Sequence, residues 1–232
     1  MAHFSDIETG LSLGDPAQEQ VASSGISSAP GGLSWQIKPM MDFAGAAVLL
    51  LAFAPLLFGI AVAIRLTSPG PVFFRQPRFG KGRNAVVVTK FRTMRVEGTD
   101  MGGKRQATRS DDRITPIGRF LRRTCLDELP QLWDVLCGRM SLVGPRPHPL
   151  LLEIGDTPIE ELIPGYHARH AVRPGMTGLA QIKGNRGPVE NYSMAAERVA
   201  YDTQYIREHS LLLDVTLLLK TLAVPFQKDG SY

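Results

Sequence analysis

The chain has 232 residues, is 44% hydrophobic and 21% charged, and carries a formal charge of +4. That apolar share can close a core, which excludes a chain disordered throughout, and the length allows one ordinary domain with appendages. The overall charge understates how basic the body is: residues 65–232 hold 25 Lys+Arg against 17 Asp+Glu, so the expected partners are anionic, namely phosphates, nucleotides or an acidic membrane surface.

Residues 1–34 are rich in Ser, Gly, Ala and Pro, contain four acids and no Lys or Arg, and lack the basic start of a signal peptide. They read as a disordered tail. FAGAAVLLLAFAPLLFGIAVAI (43–64) follows without a charged or strongly polar side chain. As one helix it would measure about 33 Å, against a bilayer hydrocarbon core of about 30 Å. It is a membrane segment, since a helix apolar on all sides is hard to enclose in so small a domain. Pro55 near its middle removes a backbone bond and kinks the helix. Lys38 flanks it on one side and Arg65, Arg75, Arg78, Lys81 and Arg83 on the other, which places the C-terminal side in the cytoplasm. Either a span with the N-terminus outside or a re-entrant hairpin with both ends inside satisfies that rule.

VFFRQPRFGKGRNAVVVTKFRTM (72–94) predicts two short strands, around 72–75 and 85–91, joined by a Gly-Lys-Gly turn. Lys90 and Arg92 at alternating positions should face one side, where they either blunt a strand edge or serve a site. Residues 96–113 are polar and glycine-containing, a mobile loop. ITPIGRFLRR (114–123) is a basic amphipathic helix that lies on a membrane surface or covers a core. LLLDVTLLLKTLAVPF (211–226) is too short and charged to span, through Asp214 and Lys220, and fits a second interfacial helix.

CLDELPQLWDVLCGRMSLVGPRPHP (125–149) carries the chemistry. Pro130 is tolerated in a helix only in its first turn, so a helix should begin near Asp127 and hold Asp127 and Glu128 at its N-terminus. The plain reading of that pair is capping, with Asp127 paired to Arg123. Their company favours another. Arg122 and Arg123 precede the acids, and Arg146 follows between Pro145 and Pro147, whose fixed φ lowers the entropy lost in holding the arginine still. Carboxylates among phosphate-binding arginines either hold a divalent cation or attack phosphorus. AVRPGMTGLAQIKG (171–184), with Arg173 and Lys183 beside its glycines, is a weaker candidate for a phosphate loop. Cys125 and Cys137 form no CxxC pair and have no histidine at metal-ligand spacing, which fits a reducing compartment and helix packing. His148, His167, His170 and His209 form no assignable spacing and read as surface or structural residues.

SPGPVFFRQPRFGKG (68–82), KFRTM (90–94), DDRITPIGRFLRRTCLDELPQLWDVLCGRMSLVGPRP (111–147), VRPGMTGLAQIKG (172–184) and YDTQYI (201–206), in this order, resemble the bacterial monotopic polyprenyl-phosphate phosphoglycosyl transferases with a small catalytic domain. The resemblance implies transfer of a sugar 1-phosphate from a UDP-sugar to a membrane polyprenyl phosphate, with release of UMP, as the first step of a surface glycan or exopolysaccharide. It implies Mg²⁺ at Asp127 and Glu128, a covalent aspartyl intermediate on Asp127, and a re-entrant membrane element broken at Ala54-Pro55, where the family usually has Ser-Pro. Lys90, Arg92, Arg122, Arg146 and Arg173 are then the candidate phosphate contacts. Arg139 stands where the family tends to have an acid.

The expected fold is α+β, mainly helical with a small antiparallel β-hairpin and interfacial amphipathic helices. Its expected organisation is a tail (1–34), a re-entrant membrane hairpin (35–66) and a catalytic domain (67–232) on the cytoplasmic face of the bacterial inner membrane. Membrane lipid is an expected partner and nucleic acid is not; the oligomeric state stays open, a homodimer included. Two other readings are a non-catalytic basic module on a membrane, which leaves the acid pair unexplained, and a spanning receptor or scaffold with residues 1–34 outside.

Overall fold

A computed structural model describes residues 31–96 and 111–223; most of the expected tail and of the expected 96–113 loop lie outside the described residues, and Leu33 and Ser34, expected in the tail, are helical. The chain opens with α1 (Leu33–Thr67), 35 residues that would extend about 52 Å as a straight helix. A hairpin of β1 (Phe73–Phe79) and β2 (Ala85–Phe91) follows, pairing Phe73 with Phe91 and Phe79 with Ala85. Its first strand is longer than the sequence suggests, because Pro77 is accommodated on an outer strand, where its missing N–H leaves no gap inside a sheet.

Two short helices, α2 (Pro116–Arg123) and α3 (Gln131–Leu136), flank the acid pair. Thr115 starts α2, its side-chain oxygen accepting from the Gly118 amide at 3.0 Å with Pro116 at the first helical position. Strand β3 (Ser141–Val143) pairs in parallel with β6 (Gly175–Thr177). Between them lie the two-residue strands β4 (Glu153–Ile154) and β5 (Thr157–Pro158) and the short α4 (Ile159–Leu162). The chain closes with α5 (Leu179–Ile182), α6 (Tyr192–Glu208) and α7 (Leu211–Ala223). The architecture is mainly helical with small sheets, as expected.

Helix α1 differs from expectation in one respect: it stays helical through both Pro39 and Pro55, and residues 54 and 55 do not break it. A proline inside a helix removes one backbone bond without compelling the helix to end. The helix also stays against the body on both sides of Pro55. Ala46, with Leu49 and Leu50, joins the core built from Leu132, Val135, Met140 and Leu142. Ile60 and Ile64 join a second cluster with Phe91 and Leu121. The opposite face is bare, with Phe43, Val48, Leu51, Phe58 and Leu66 exposed.

A buried ionic cluster fastens the start of α1. Lys38 Nζ reaches Asp214 Oδ2 of α7 at 2.7 Å and Asp42 Oδ1 at 3.4 Å. Asp42 Oδ1 also accepts the Leu142 amide at 3.0 Å, and the Tyr205 hydroxyl donates to Asp214 Oδ1 at 2.7 Å. Ion pairs this buried persist because each charge has a partner and further hydrogen bonds. On α7, Leu212, Val215, Leu219 and Leu222 form an exposed apolar stripe at helical spacing.

Gly118 lets α2 lie against the strand exit. A Cβ built there would meet the Thr93 carbonyl oxygen at 2.0 Å, and that oxygen already accepts the Thr115 amide. Gly118→Ala should therefore displace α2 and lower stability by at least about 1–3 kcal/mol, read as a fall in the urea midpoint.

Candidate active site

Cys125 adopts the left-handed conformation (φ 58°), which turns the chain out of α2 into a single 3₁₀ turn, Leu126–Glu128. The acids therefore precede α3, which starts only at Gln131 after Pro130, rather than sitting in its first turn as the sequence suggests. Proline at the boundary sets that start. The expected partnership of Asp127 with Arg123 is not among the bonds formed by the described residues; the cations whose fields reach Asp127 are Lys90 first, then Arg122 and Arg146.

Glu128 is tied on both oxygens. Lys90 Nζ meets Oε1 at 2.5 Å, while Arg146 grips the carboxylate as a fork, Nη2 to Oε1 at 2.5 Å and Nη1 to Oε2 at 3.1 Å. Burial pushes the Glu128 carboxyl upward, but Arg146 and Lys90 outweigh it and hold the group well below the usual carboxylate range. Burial dominates at Lys90, whose ammonium loses its proton more readily than a free lysine despite Glu128 beside it.

Asp127 has the opposite situation. It is 8% exposed, yet its carboxylate makes no hydrogen bond or ion pair among the described residues. Burial pushes its pKa up to about 6, opposed by Lys90 and aided by the charge on Glu128. Two adjacent carboxylates thus have different characters: one fixed and ionised, the other uncommitted and more basic. Environments that separate two neighbouring acids in this way assign them separate roles.

The Pro145-Arg146-Pro147 turn is held by more than its prolines. Four successive carbonyls each accept a scaffold donor: Pro145 from the Gly175 amide (2.8 Å), Arg146 from Arg169 Nη2 (2.7 Å), Pro147 from Arg78 Nη1 (2.8 Å) and His148 from the Phe79 amide (3.0 Å). Gly175 allows this approach, since a Cβ there would fall 2.1 Å from the Gly144 nitrogen. Gly175 and Gly178 of the stretch 171–184, read as a phosphate loop, here serve close backbone packing behind Arg146. Arg173 shares that contact through its carbonyl, near Gly144, and its side chain has no bond among the described residues.

Asp127, Glu128, Lys90, Arg122 and Arg146 come together as the sequence suggests. Arg92 does not join them. Strand β2 ends at Phe91, and the buried Arg92 guanidinium turns to the Ser68 and Pro69 carbonyls and the Ser68 hydroxyl, anchoring the turn after α1. Gly70, at φ 111°, makes room for it. Period-two reasoning failed here because it was extended one residue past the strand.

Sequence reasoning missed Arg78, which supports the turn at Pro147, and Arg186, whose charge reaches Cys125 beside the acids. Arg186 lies in a Gly-Asn-Arg-Gly stretch, and only that glycine pairing hinted at it. His148, His167 and His170 gather around Tyr166, with His148 Nδ1 2.9 Å from its hydroxyl. Burial first, then Arg169, holds His148 and His170 below the ordinary imidazole range, so both stay neutral and structural. Arg139 pairs with fully buried Asp134 at 2.7 Å, and Asp134 in turn accepts the Thr89 amide at 2.7 Å, next to Lys90.

Among the described residues no cluster of three or more His, Cys, Asp or Glu side chains could enclose a metal. Mg²⁺ does not need one, because it keeps several waters and is commonly held by one or two carboxylates together with substrate phosphates. An uncommitted Asp127 beside Glu128 fits that mode.

The family described as bacterial sugar transferase matches residues 33–228. The exopolysaccharide production protein PSS of Rhizobium leguminosarum bv. phaseoli is 47% identical over 196 residues, 84% of this chain and 98% of that protein. The UDP-glucose:undecaprenyl-phosphate glucose-1-phosphate transferases of Escherichia coli (strain K12) and Caulobacter vibrioides are 43% and 46% identical, over 87% and 84% of this chain. The chain spans 42% of the first of these and 72% of the second.

Proposed function

The chain belongs to the bacterial sugar transferase family, and from that premise we propose that it transfers a sugar 1-phosphate from a UDP-sugar to undecaprenyl phosphate, releasing UMP and initiating an exopolysaccharide or surface glycan. The observation that carries this reading is the divided acid pair: Asp127 uncommitted and basic for a carboxylate, Glu128 held by Lys90 and Arg146.

Asp127 is the nucleophile. A carboxylate oxygen attacks the β-phosphorus of the donor, the bond from that phosphorus to the bridging oxygen breaks, and its electron pair leaves on UMP. A phosphate oxygen of the lipid acceptor then attacks the same phosphorus and restores the Asp127 carboxylate. Like charge opposes both attacks, so Lys90, Arg122 and Arg146 face the phosphate oxygens and neutralise developing charge. Mg²⁺ held by Asp127, Glu128 and the diphosphate would supply further charge neutralisation and orientation. Glu128 keeps Arg146 and Lys90 aimed while the anionic substrates exchange, and Arg173 is a further phosphate contact at the back of the turn.

Membrane seating follows from α1. Its bare apolar face, with both halves packed against one domain, suits an element seated in the bilayer beside that domain better than one that leaves the domain to span. The exposed apolar stripe on α7 and the exposed Phe120 on α2 support the same seating, and in this reading residues 67–232 lie on the cytoplasmic face of the inner membrane.

The test is UMP release by nanodisc-held protein with Mg²⁺, undecaprenyl phosphate and a panel of UDP-sugars. UDP-glucose comes first, because two relatives act on it by name. Release that requires acceptor and metal is expected; no release with any donor would overturn the reading.

A further inference from the structure

On the face of the hairpin away from the acids, an open trough of about 800 Å³ separates α1 from the body. Leu50, Leu57 and Ala61 of α1 form one wall, and Val87, Phe91 and Trp133 form the other. Its volume lies in the upper part of the range of ligand pockets, about 300–1,000 Å³. Its formal charge is all positive, from Arg75 and Arg139, with no acid in the lining. Arg75 is exposed and makes no hydrogen bond or ion pair among the described residues. Arg139 pairs with Asp134 through Nη2 only, and its buried Nε has no partner.

We propose that this trough binds a bilayer phospholipid with an anionic headgroup, hydrocarbon along α1 and phosphate against Arg75 and Arg139. The inference rests on the membrane seating proposed above. The wall formed by Leu50 to Ala61 belongs to the apolar segment and meets hydrocarbon, whereas Arg75 and Arg139 stand on the domain side, so the trough lies at the boundary between hydrocarbon and headgroups. An exposed guanidinium beside an apolar trough at that boundary suits a lipid phosphate, which arginine binds through two parallel donors.

The occupant is not the acceptor, because side chains alternate along β2. Val87, Thr89 and Phe91 line the trough, whereas Lys90 points the other way to Glu128. Arg75, paired in register with Thr89, is on the trough side. A phosphate held there has the hairpin between it and Asp127. The lipid would brace α1 against the domain without taking part in the reaction.

Native mass spectrometry of the purified chain, offered phosphatidylglycerol or phosphatidylcholine in detergent, tests this. One phosphatidylglycerol should stay bound through detergent exchange, with phosphatidylcholine held more weakly. Arg75→Gln should weaken retention about tenfold, the effect of losing one charge-assisted contact, and Ala61→Phe should fill the trough and abolish it. If Ala61→Phe does not fold, Arg75→Gln decides alone, because Arg75 supports nothing else. Equal retention of both lipids, unchanged retention in the variants, or one-for-one displacement by undecaprenyl phosphate would each overturn the proposal. Carbonate extraction of membranes that carry the chain separates the two readings: failed lipid retention by a chain that resists extraction removes only the trough site, whereas release of the chain removes the seating.

Discussion

Asp127→Asn should be inactive and, in metal-free buffer at pH 8, more stable than the native chain. Both effects have one cause. Burial raises the Asp127 carboxyl from the ordinary 3.8 to about 6 without giving it a hydrogen bond. A carboxyl raised on folding contributes fully to stability below 3.8, and that contribution is lost as pH rises through 6. At about 1.4 kcal/mol per pH unit, holding the charged form costs up to about 3 kcal/mol at pH 8. Asparagine removes the charge at nearly the same shape, although its buried amide, also without partners, reduces the gain. Thermal unfolding of both chains with EDTA should show a gap that closes as pH falls from 8 toward 4. Mg²⁺ should narrow it at pH 8 by stabilising the native carboxylate. An asparagine variant that releases UMP at the native rate would remove Asp127 as nucleophile, and one no more stable at pH 8 would mean the carboxylate is well solvated.

Much of this site was legible in the sequence because its parts are local. Residues 125–149 place the acids and the proline-bound arginine within one short stretch, and Pro130 marks where the following helix can start. The apolar run was equally plain, since no charge interrupts it between Phe43 and Ile64. What the sequence concealed depends on distant partners. Nothing in the spacing of Arg92 says that its guanidinium will turn back to Ser68, twenty-four positions away. The glycines at 175 and 178 look like a ligand loop by composition, and only the parallel pairing with Ser141–Val143 shows that they admit a neighbouring backbone. His148, His167 and His170, without periodic spacing, turn out to share one buried tyrosine, a relation set by tertiary packing.

The support of Arg146 leads to the second large effect. Arg169 and Asp202 are each 1% exposed on their side chains and meet at 2.9 and 2.5 Å. Through Nη2, Arg169 also donates to the Arg146 carbonyl at 2.7 Å. Asp202→Ala would leave a buried guanidinium without its counter-charge, so the urea midpoint should fall by the equivalent of about 3–5 kcal/mol. That loss alone would not separate a structural role from a positioning one. Replacing both partners by apolar residues, as in Arg169→Met with Asp202→Leu, removes the unpaired charge and should recover most of the stability, because a buried pair contributes little net over well-packed hydrophobic groups. Turnover should not recover with it. Without Arg169 the Arg146 carbonyl loses its donor and the turn gains freedom, and displacement of a positioning group by about 1 Å can cost about a hundredfold in rate. The deficit should fall in kcat more than in KM, since Arg146 would still reach the donor phosphates but hold them less well in the transition state. A double variant that is both stable and fully active would show that the prolines at 145 and 147, with the Gly175 and Phe79 amides and Arg78, hold the arginine without Arg169. A stable, slow one would make the buried Arg169–Asp202 pair the support on which the phosphate-holding arginine depends.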